Sequence, residues 1–496
     1  MVAFLFYCDI QALCAVFFLK PLENLREICY NKKATYSFLG KSSMKKTRKR
    51  GLSTTHIIIL SFLFAIVVGS ILLVLPISVK KGQSVTYLDA LFTATTATCV
   101  TGLVTLPTVT TWSIFGQVVI LLLIQIGGLG IITVMAGFMV ALHRKIGLKD
   151  SQVIVEAFNL NSLSGLTHFI KKVIIGTLIV ELVGALLYLP VFVPAFGVKG
   201  IWIALFNSIS AFCNAGIDII AENSLCDFAT HPLVNGVTGA LIILGGLGYI
   251  VWWDILRVLK EFKTIGWKSF HKLTLHSKIV LSATAALIVG GAVAIFTLEY
   301  SNPLTLQGYS LFDKMQISLF QSITTRTAGF ATIPQENLTD TTAILCLLLM
   351  FIGGSPVGTA GGVKTVTIVV LLATAYATIR NQNETSLFGR NLSRQATRKA
   401  VAVTSMSFLI MLMSTILLST VTDASALDVL YETVSATATV GLTRNLTPFL
   451  TFWGKIIIIV TMYLGRIGPI SLAIAFQSKK EITNNIKNPT EEISVG

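Results

Sequence analysis

Four short runs of small and hydroxylated residues, each ending in glycine, carry the chemistry this chain has to offer. They are Thr98-Cys99-Val100-Thr101-Gly102, Phe212-Cys213-Asn214-Ala215-Gly216, Arg326-Thr327-Ala328-Gly329 and Thr437-Ala438-Thr439-Val440-Gly441. None contains a nucleophile paired with a base, and none has the spacing of metal-ligating side chains. What such runs can supply is backbone carbonyls, which in a ring replace the hydration shell of a cation. Glycine suits that task because it readily takes the angles that turn successive carbonyls toward one axis. The closing glycines are 114, 113 and 112 residues apart, and a fixed period marks a duplicated structural unit. One such glycine alone would read as a helix-packing or turn residue; four at a common period read as a filter for a dehydrated cation. The hydroxyls of Thr98, Thr101, Thr327 and Thr439 either add contacts to the ion or bond local backbone, while Cys99 and Cys213 read as packing residues.

The elements that hold these runs follow from composition. With 53% apolar and 12% charged residues and a mean hydropathy of +0.78, the chain belongs in a bilayer. Eight segments are long and apolar enough to span one: 57–77, 114–142, 173–196, 233–256, 279–298, 342–375, 401–421 and 452–476. A half-apolar stretch of about ten residues precedes each glycine run and is too short to cross, so it re-enters the membrane. The predicted fold is an all-α polytopic membrane protein of four tandem helix, re-entrant loop, helix repeats with pseudo-fourfold symmetry around a central pore. The repeats are placed at 51–142, 165–258, 275–378 and 398–478, with an extension at 1–50 and a tail at 479–496. Asp89 and Asp428, each 13 residues ahead of the repeat glycine, are suited to cap the short pore helices, with Asp313 in repeat three and Gly200 as a weaker substitute in repeat two. The carboxyl ends of these helices would bring partial negative charge to the convergence of the loops.

A second landmark keeps step with the first. Gly127-Gly128, Gly245-Gly246, Gly353-Gly354 and Gly465-Arg466 fall 24 to 29 residues after the loop glycine and are expected to break the second span of each repeat. In repeat three the run Gly353-Gly354-Ser355-Pro356-Val357-Gly358-Thr359-Ala360-Gly361-Gly362 cannot remain a regular helix. It reads as a flexible break able to block the pore from the cytoplasmic side, with a static kink as the alternative. A phosphate-binding loop is excluded because Val363, not glycine, precedes Lys364. Arg466 lies too deep to snorkel, so it needs partners; carbonyls of the broken sixth span would satisfy its donors, a structural ion pair being the alternative. Lys364 is expected at the cytoplasmic rim, and Glu181 as a packed, hydrogen-bonded residue.

The net charge of +15 reports topology rather than a nucleic-acid partner. Of the 38 Lys and Arg, 30 lie in 1–56, 141–172, 257–278, 364–400 and 477–496, which places those segments and both termini in the cytoplasm. The stretch from Arg380 to Lys399, with Arg390, Arg394 and Arg398, reads as an orientation signal in contact with lipid headgroups, or as a docking face for a cytosolic regulator. The seven cysteines show neither a disulfide framework nor zinc spacing. An apolar stretch at 2–19 precedes Met44, and the first 43 residues read as a start placed too early, an added membrane-associated helix, or a signal-like segment. A coupled secondary transporter of another small cation or solute is the main rival reading. A membrane enzyme lacks its nucleophile, base and orienting group.

Over residues 51–480 the chain resembles the Trk/Ktr/HKT superfamily of potassium transporters, and most of all its KtrB-type membrane subunit. The resemblance rests on Leu88-Asp89-Ala90-Leu91-Phe92, Cys99-Val100-Thr101-Gly102-Leu103, Gln125-Ile126-Gly127-Gly128-Leu129-Gly130, Thr324-Thr325-Arg326-Thr327-Ala328-Gly329-Phe330, Gly353-Gly354-Ser355-Pro356 and Gly465-Arg466-Ile467-Gly468-Pro469. It implies one filter glycine per repeat, with glycine in all four going with K⁺ and serine in the first with Na⁺. K⁺ would then bind backbone carbonyls of Cys99, Val100, Thr101, Gly102, Asn214, Ala215, Gly216, Thr327, Ala328, Gly329, Thr439, Val440 and Gly441. The resemblance also implies an intramembrane gating loop at 353–362 involving Gly353, Gly354, Ser355, Pro356, Gly358, Gly361, Gly362 and Lys364. A plasma-membrane homodimer with one pore per chain and a separate cytosolic nucleotide-binding ring as regulator are implied too. The resemblance implies K⁺ as the substrate and Na⁺ as an activator or co-ion, and no covalently bound cofactor is expected. Channel, symport and Na⁺-activated uniport stay open, and single filter glycines imply weaker discrimination against Na⁺ than in tetrameric channels.

Overall fold

A computed structural model describes residues 54–130, 133–134, 136, 166–266, 271–382 and 384–468. The extension 1–50 with Cys8, Cys14 and Cys29, the end of the 114–142 segment, Pro469 and the tail 479–496 lie outside the described residues.

Repeat one is built from α1 (Thr54–Val74), the pore helix α2 (Tyr87–Cys99) and α3 (Ile114–Leu129). Repeat two has α4 (Leu166–Phe196), pore helix α5 (Lys199–Cys213) and α6 (Pro232–Leu247), followed by α7 (Tyr249–Ile265). Repeat three has α8 (Leu275–Glu299), pore helix α9 (Leu311–Thr324), α10 (Asp340–Phe351) and α11 (Thr365–Ile379). Repeat four has α12 (Arg394–Ser419), pore helix α13 (Ala426–Ala438) and α14 (Phe452–Ile467).

The first helix of each repeat is long and apolar enough to cross a bilayer unbroken. These helices carry their apolar residues all round, so large side chains such as Phe64 (71% exposed) and Leu182 (58% exposed) face outward, as on helices that span a membrane. The second helix of each repeat instead stops partway. α3, α6 and α14 end at Gly130, Gly248 and Gly468, whose φ values of 81°, 85° and 85° belong to the left-handed side that glycine tolerates. At Gly248 the chain turns through 100° between α6 and α7.

The breaks therefore fall two or three residues beyond the glycine doublets in three repeats, which corrects the expectation from sequence. The first glycine of each doublet has a different task. A Cβ on Gly127, Gly245 or Gly465 would run into the carbonyl oxygen of Thr98, Phe212 or Thr437, so glycine lets the second helix approach the carboxyl end of its own pore helix.

Capping also differs from expectation. The pore helices start at hydroxyl caps, Thr86, Ser310 and Ser425, whose side chains accept from the backbone N–H of Asp89, Asp313 and Asp428. The three acids sit at the third helical position and accept from those hydroxyls at 2.6, 2.6 and 2.7 Å, a variant of the capping box. α5 has no side-chain cap, and Gly200 provides clearance instead, since a Cβ there would meet the Phe192 carbonyl.

Packing between repeats is cyclic. α3 lies against α5, α6 against α9, α10 against α13 and α14 against α2. Each second helix thus buttresses the next pore helix, and the fourth repeat closes on the first. That closure brings the four glycine runs together.

Candidate functional site

Each pore helix ends in the same way in repeats one, two and four. The residue after the helix, Val100, Asn214 or Thr439, takes the left-handed conformation, and the N–H of the following residue returns to the helix. Thr101, Ala215 and Val440 donate to the carbonyls of Thr96, Ser210 and Ser435, each at 2.8 Å, in a Schellman arrangement. Repeat three is one residue tighter, with Ala328 N–H on the Thr324 carbonyl at 3.0 Å. The left-handed position two before the glycine is kept there by Thr327. Its φ is 68°, against 56°, 58° and 52° for Val100, Asn214 and Thr439. For β-branched Val100, Thr327 and Thr439 this costs about 1–2 kcal/mol each, strain of the kind that gathers at functional sites.

The four closing glycines also have positive φ: 102° at Gly102, 63° at Gly216, 84° at Gly329 and 99° at Gly441. Their surroundings show a ring. A Cβ on Gly102 would lie 2.7 Å from the carbonyl oxygen of Ala215, one on Gly216 2.6 Å from that of Ala328, and one on Gly329 2.5 Å from that of Val440. On Gly441 it would collide with the Thr101 carbonyl. Each glycine makes room for the carbonyl that precedes the next repeat's glycine, in the order one, two, three, four, one. The hydroxyls of Thr98, Thr101, Thr437 and Thr439 are buried without a hydrogen-bond partner among the described residues. Cys99 and Cys213 are fully buried at the ends of α2 and α5, and the described cysteines Cys99, Cys213, Cys226 and Cys346 are free.

On the pore-helix side of this ring sits the break of repeat three. It is tied down rather than left as loose chain. Gly353 N–H donates to the Val363 carbonyl at 2.9 Å, Val363 N–H to Phe351 at 3.1 Å, and Thr365 N–H to Gly354 at 3.0 Å, which closes the base of the loop. Its body docks on the bend of repeat two. Ser355 N–H bonds the Gly246 carbonyl at 2.9 Å, Thr359 N–H that of Gly245 at 3.1 Å, and Tyr249 N–H returns to Val357 at 3.1 Å. Gly248 lies against the Pro356 carbonyl, and Gly358 has the Gly245 carbonyl 2.8 Å from where its Cβ would be. The far arm reaches the ring: Gly361 N–H donates to the Thr327 hydroxyl at 3.2 Å, and a side chain on Gly361 would strike the Thr439 hydroxyl. Gly354 packs on Ala360, and Gly362 (φ 65°) packs on Gly353.

Three cations hold this loop. Arg466 donates to the Thr359 carbonyl at 2.8 Å and to that of Gly127 at 2.6 Å, joining repeat three to repeats four and one. Lys364 is inside the loop, not at the rim, and its ammonium donates to Ala360 at 2.5 Å and Gly361 at 3.4 Å. Arg326, singled out in sequence only as part of a motif, is 7% exposed and reaches the Gly353 carbonyl at 3.4 Å. Charge-assisted bonds of this kind are about twice as strong as neutral ones.

Two buried carboxylates flank the ring. Glu181 accepts both bonds from the Gln125 amide, at 3.1 and 3.2 Å. Glu432, in α13, accepts from Thr443 at 2.6 Å and from Thr447, tying the pore helix to the strand that leaves the ring. Glu432 gave no signal in sequence, because its partners are set by the return of the strand. The basic stretch after α11 forms a hairpin in which Ser386–Leu387 pairs with Arg390–Asn391.

Comparison with known proteins places this arrangement. Residues 30–487 match the TrkH family, described as a cation transport protein. The chain is similar to Ktr system potassium uptake protein B of Bacillus subtilis, 39% identical over 442 residues, 89% of this chain and 96% of that protein. It is also similar to potassium/sodium uptake protein NtpJ of Enterococcus hirae, 37% identical over 91% of this chain and 99% of that one. Among solved structures, the potassium transporter TrkH from Vibrio parahaemolyticus shares the fold with a TM-score of 0.68 and 17% identity, over 95% of this chain and 96% of the other.

Proposed function

Because the chain belongs to the TrkH family of cation transport proteins, we propose that it takes up K⁺ across the plasma membrane through the ring of Gly102, Gly216, Gly329 and Gly441. The family moves cations and is not a family of enzymes. The observation that carries the K⁺ reading is the cyclic contact in which every glycine accommodates the carbonyl before the next one. Carbonyls of Thr101, Ala215, Ala328 and Val440 supply the oxygens for a dehydrated ion. The pore-helix carboxyl ends add favourable potential.

The loop 353–362 is the gate in this reading. It lies against Thr327 and Thr439 on the pore-helix side of the ring, and the positive charge of Arg466 beside it opposes a passing cation. Opening requires the loop to leave the bend at Gly245 to Tyr249. Na⁺ acts as activator or co-ion, a role supported by the potassium/sodium name of the Enterococcus relative. A cytosolic nucleotide-binding ring regulates a homodimer, supported by the naming of the Bacillus relative as one protein of a system. The basic hairpin after α11 is the proposed docking face, and removing residues 381–395 is expected to abolish ligand control of flux.

The test is cation accumulation in cells that lack K⁺ uptake systems, with and without this chain. K⁺ accumulation from a medium low in K⁺ is the expected result. Accumulation of Na⁺ in place of K⁺ would overturn the reading.

A further inference from the structure

One residue in the last turns of each pore helix holds the ring strand twice. Thr96, Ser210, Thr324 and Ser435 are the residues whose backbone carbonyls receive the N–H of the residue before the ring glycine. The same four use their hydroxyls on the strand, and they do so in two modes. In repeats one and four the hydroxyl oxygen accepts from the ring glycine itself: Gly102 N–H to Thr96 at 3.0 Å and Gly441 N–H to Ser435 at 3.0 Å. In repeats two and three the hydroxyl donates to the carbonyl one residue past the glycine: Ser210 to Ile217 at 2.5 Å and Thr324 to Phe330 at 2.6 Å. All four hydroxyl residues are fully buried.

The two modes are not equivalent. Removing the acceptor from a buried glycine N–H leaves that donor unsatisfied, and orphaned N–H groups are tolerated less than carbonyls, which have two lone pairs. The first mode grips the ring glycine directly, whereas the second grips its neighbour. The ring is therefore held by its N–H groups on the side of repeats one and four and by outer carbonyls on the side of repeats two and three.

We propose that Thr96 and Ser435 are positioning residues that set cation discrimination, with Ser210 and Thr324 contributing less. The proposal rests on the reading of the glycine ring as the K⁺ filter. A looser glycine lets the carbonyls close around a smaller ion, so Na⁺ gains on K⁺ while the pathway stays open.

The experiment measures K⁺ and Na⁺ flux through the full-length purified chain in vesicles, for the wild type and for Thr96→Val, Ser435→Ala, Ser210→Ala and Thr324→Val. Thr96→Ser and Ser435→Thr, which restore a hydroxyl, are the rescue variants. Thr96→Val and Ser435→Ala are expected to lower the K⁺/Na⁺ flux ratio by about tenfold, the size of one orphaned buried donor, with total cation flux retained. The rescue variants should return the ratio to that of the wild type, and the other pair should lower it by less than about threefold. Ser435→Ala in a helix interior is a mild change for folding, so it decides the matter if Thr96→Val fails to assemble. An unchanged ratio in Ser435→Ala, or equal losses in all four variants, overturns the proposal. A wild type with no preference for K⁺ would instead overturn the filter reading beneath it.

Discussion

The ring and the layer of breaks on its pore-helix side are made from the same four repeats, yet they differ in symmetry. In the ring every repeat does nearly the same thing: a left-handed residue, a glycine with positive φ, and between them a carbonyl lodged where the preceding repeat's glycine would carry a side chain. In the other layer three repeats stop at a single glycine, Gly130, Gly248 or Gly468, while the third inserts a folded loop between α10 and α11. The proposed filter needs four similar walls around one ion, whereas the proposed block needs one element that crosses the axis; the symmetric layer suits the first and the diverged third repeat the second.

The sharpest way to break the symmetric layer is Gly216→Ala. Its Cβ would sit 2.6 Å from the Ala328 carbonyl and 2.7 Å from the Gly329 Cα, at a φ of 63°. K⁺ flux should fall by at least about 100-fold, since backbone contacts that close force the ring apart, and tracer uptake in vesicles measures this. The asymmetric layer breaks in the opposite direction. Arg466→Ala removes both bonds that tie the loop to repeats four and one, and basal K⁺ flux without any regulator should rise about tenfold or more, given about 1.5–3 kcal/mol for a bond to a charged group.

Two glycines of that layer sharpen the contrast. Gly248 and Gly468 share a φ of 85°, but only Gly248 has the loop against it, where an added Cβ would collide with the Pro356 carbonyl and lie 3.4 Å from Val357. Gly248→Ala should dislodge the loop and raise basal flux about threefold, while Gly468→Ala should only cost about 1 kcal/mol of stability; flux and thermal unfolding together separate them. The smallest effect on transport belongs to the rim. Lys455 in repeat four bonds Asp89 of repeat one at 2.6 Å, with the Lys side chain 18% exposed. Lys455→Met should lower stability by about 1–3 kcal/mol, less than for a fully buried pair, and leave the K⁺/Na⁺ flux ratio unchanged.

The ring was legible in the sequence because duplication repeats it: Gly102, Gly216, Gly329 and Gly441 recur at one period, each after small residues. The break of repeat three was legible from its glycines and Pro356, and the partners of Arg466 from the need of a buried charge for acceptors. Contacts made where the chain folds back on its own repeat were not. The doublets at Gly127, Gly245 and Gly465 read as breaks but provide clearance for pore-helix carbonyls, a purpose visible only once two helices meet. Lys364 read as a rim residue because its distance along the span says nothing of a loop that folds back over its ammonium. Thr96, Ser210, Thr324 and Ser435 look like ordinary pore-helix residues until the strand turns back onto them.

The most direct test of the central claim is flux through the purified chain in proteoliposomes, with K⁺ and then Na⁺ gradients under a clamped potential, for the wild type and Arg466→Ala. A ring that selects above a loop that blocks predicts K⁺ flux exceeding Na⁺ flux in both, with Arg466→Ala raising the K⁺ flux and keeping the preference. Na⁺ flux equal to or above K⁺ flux in Arg466→Ala, where the ring is untouched, would contradict it.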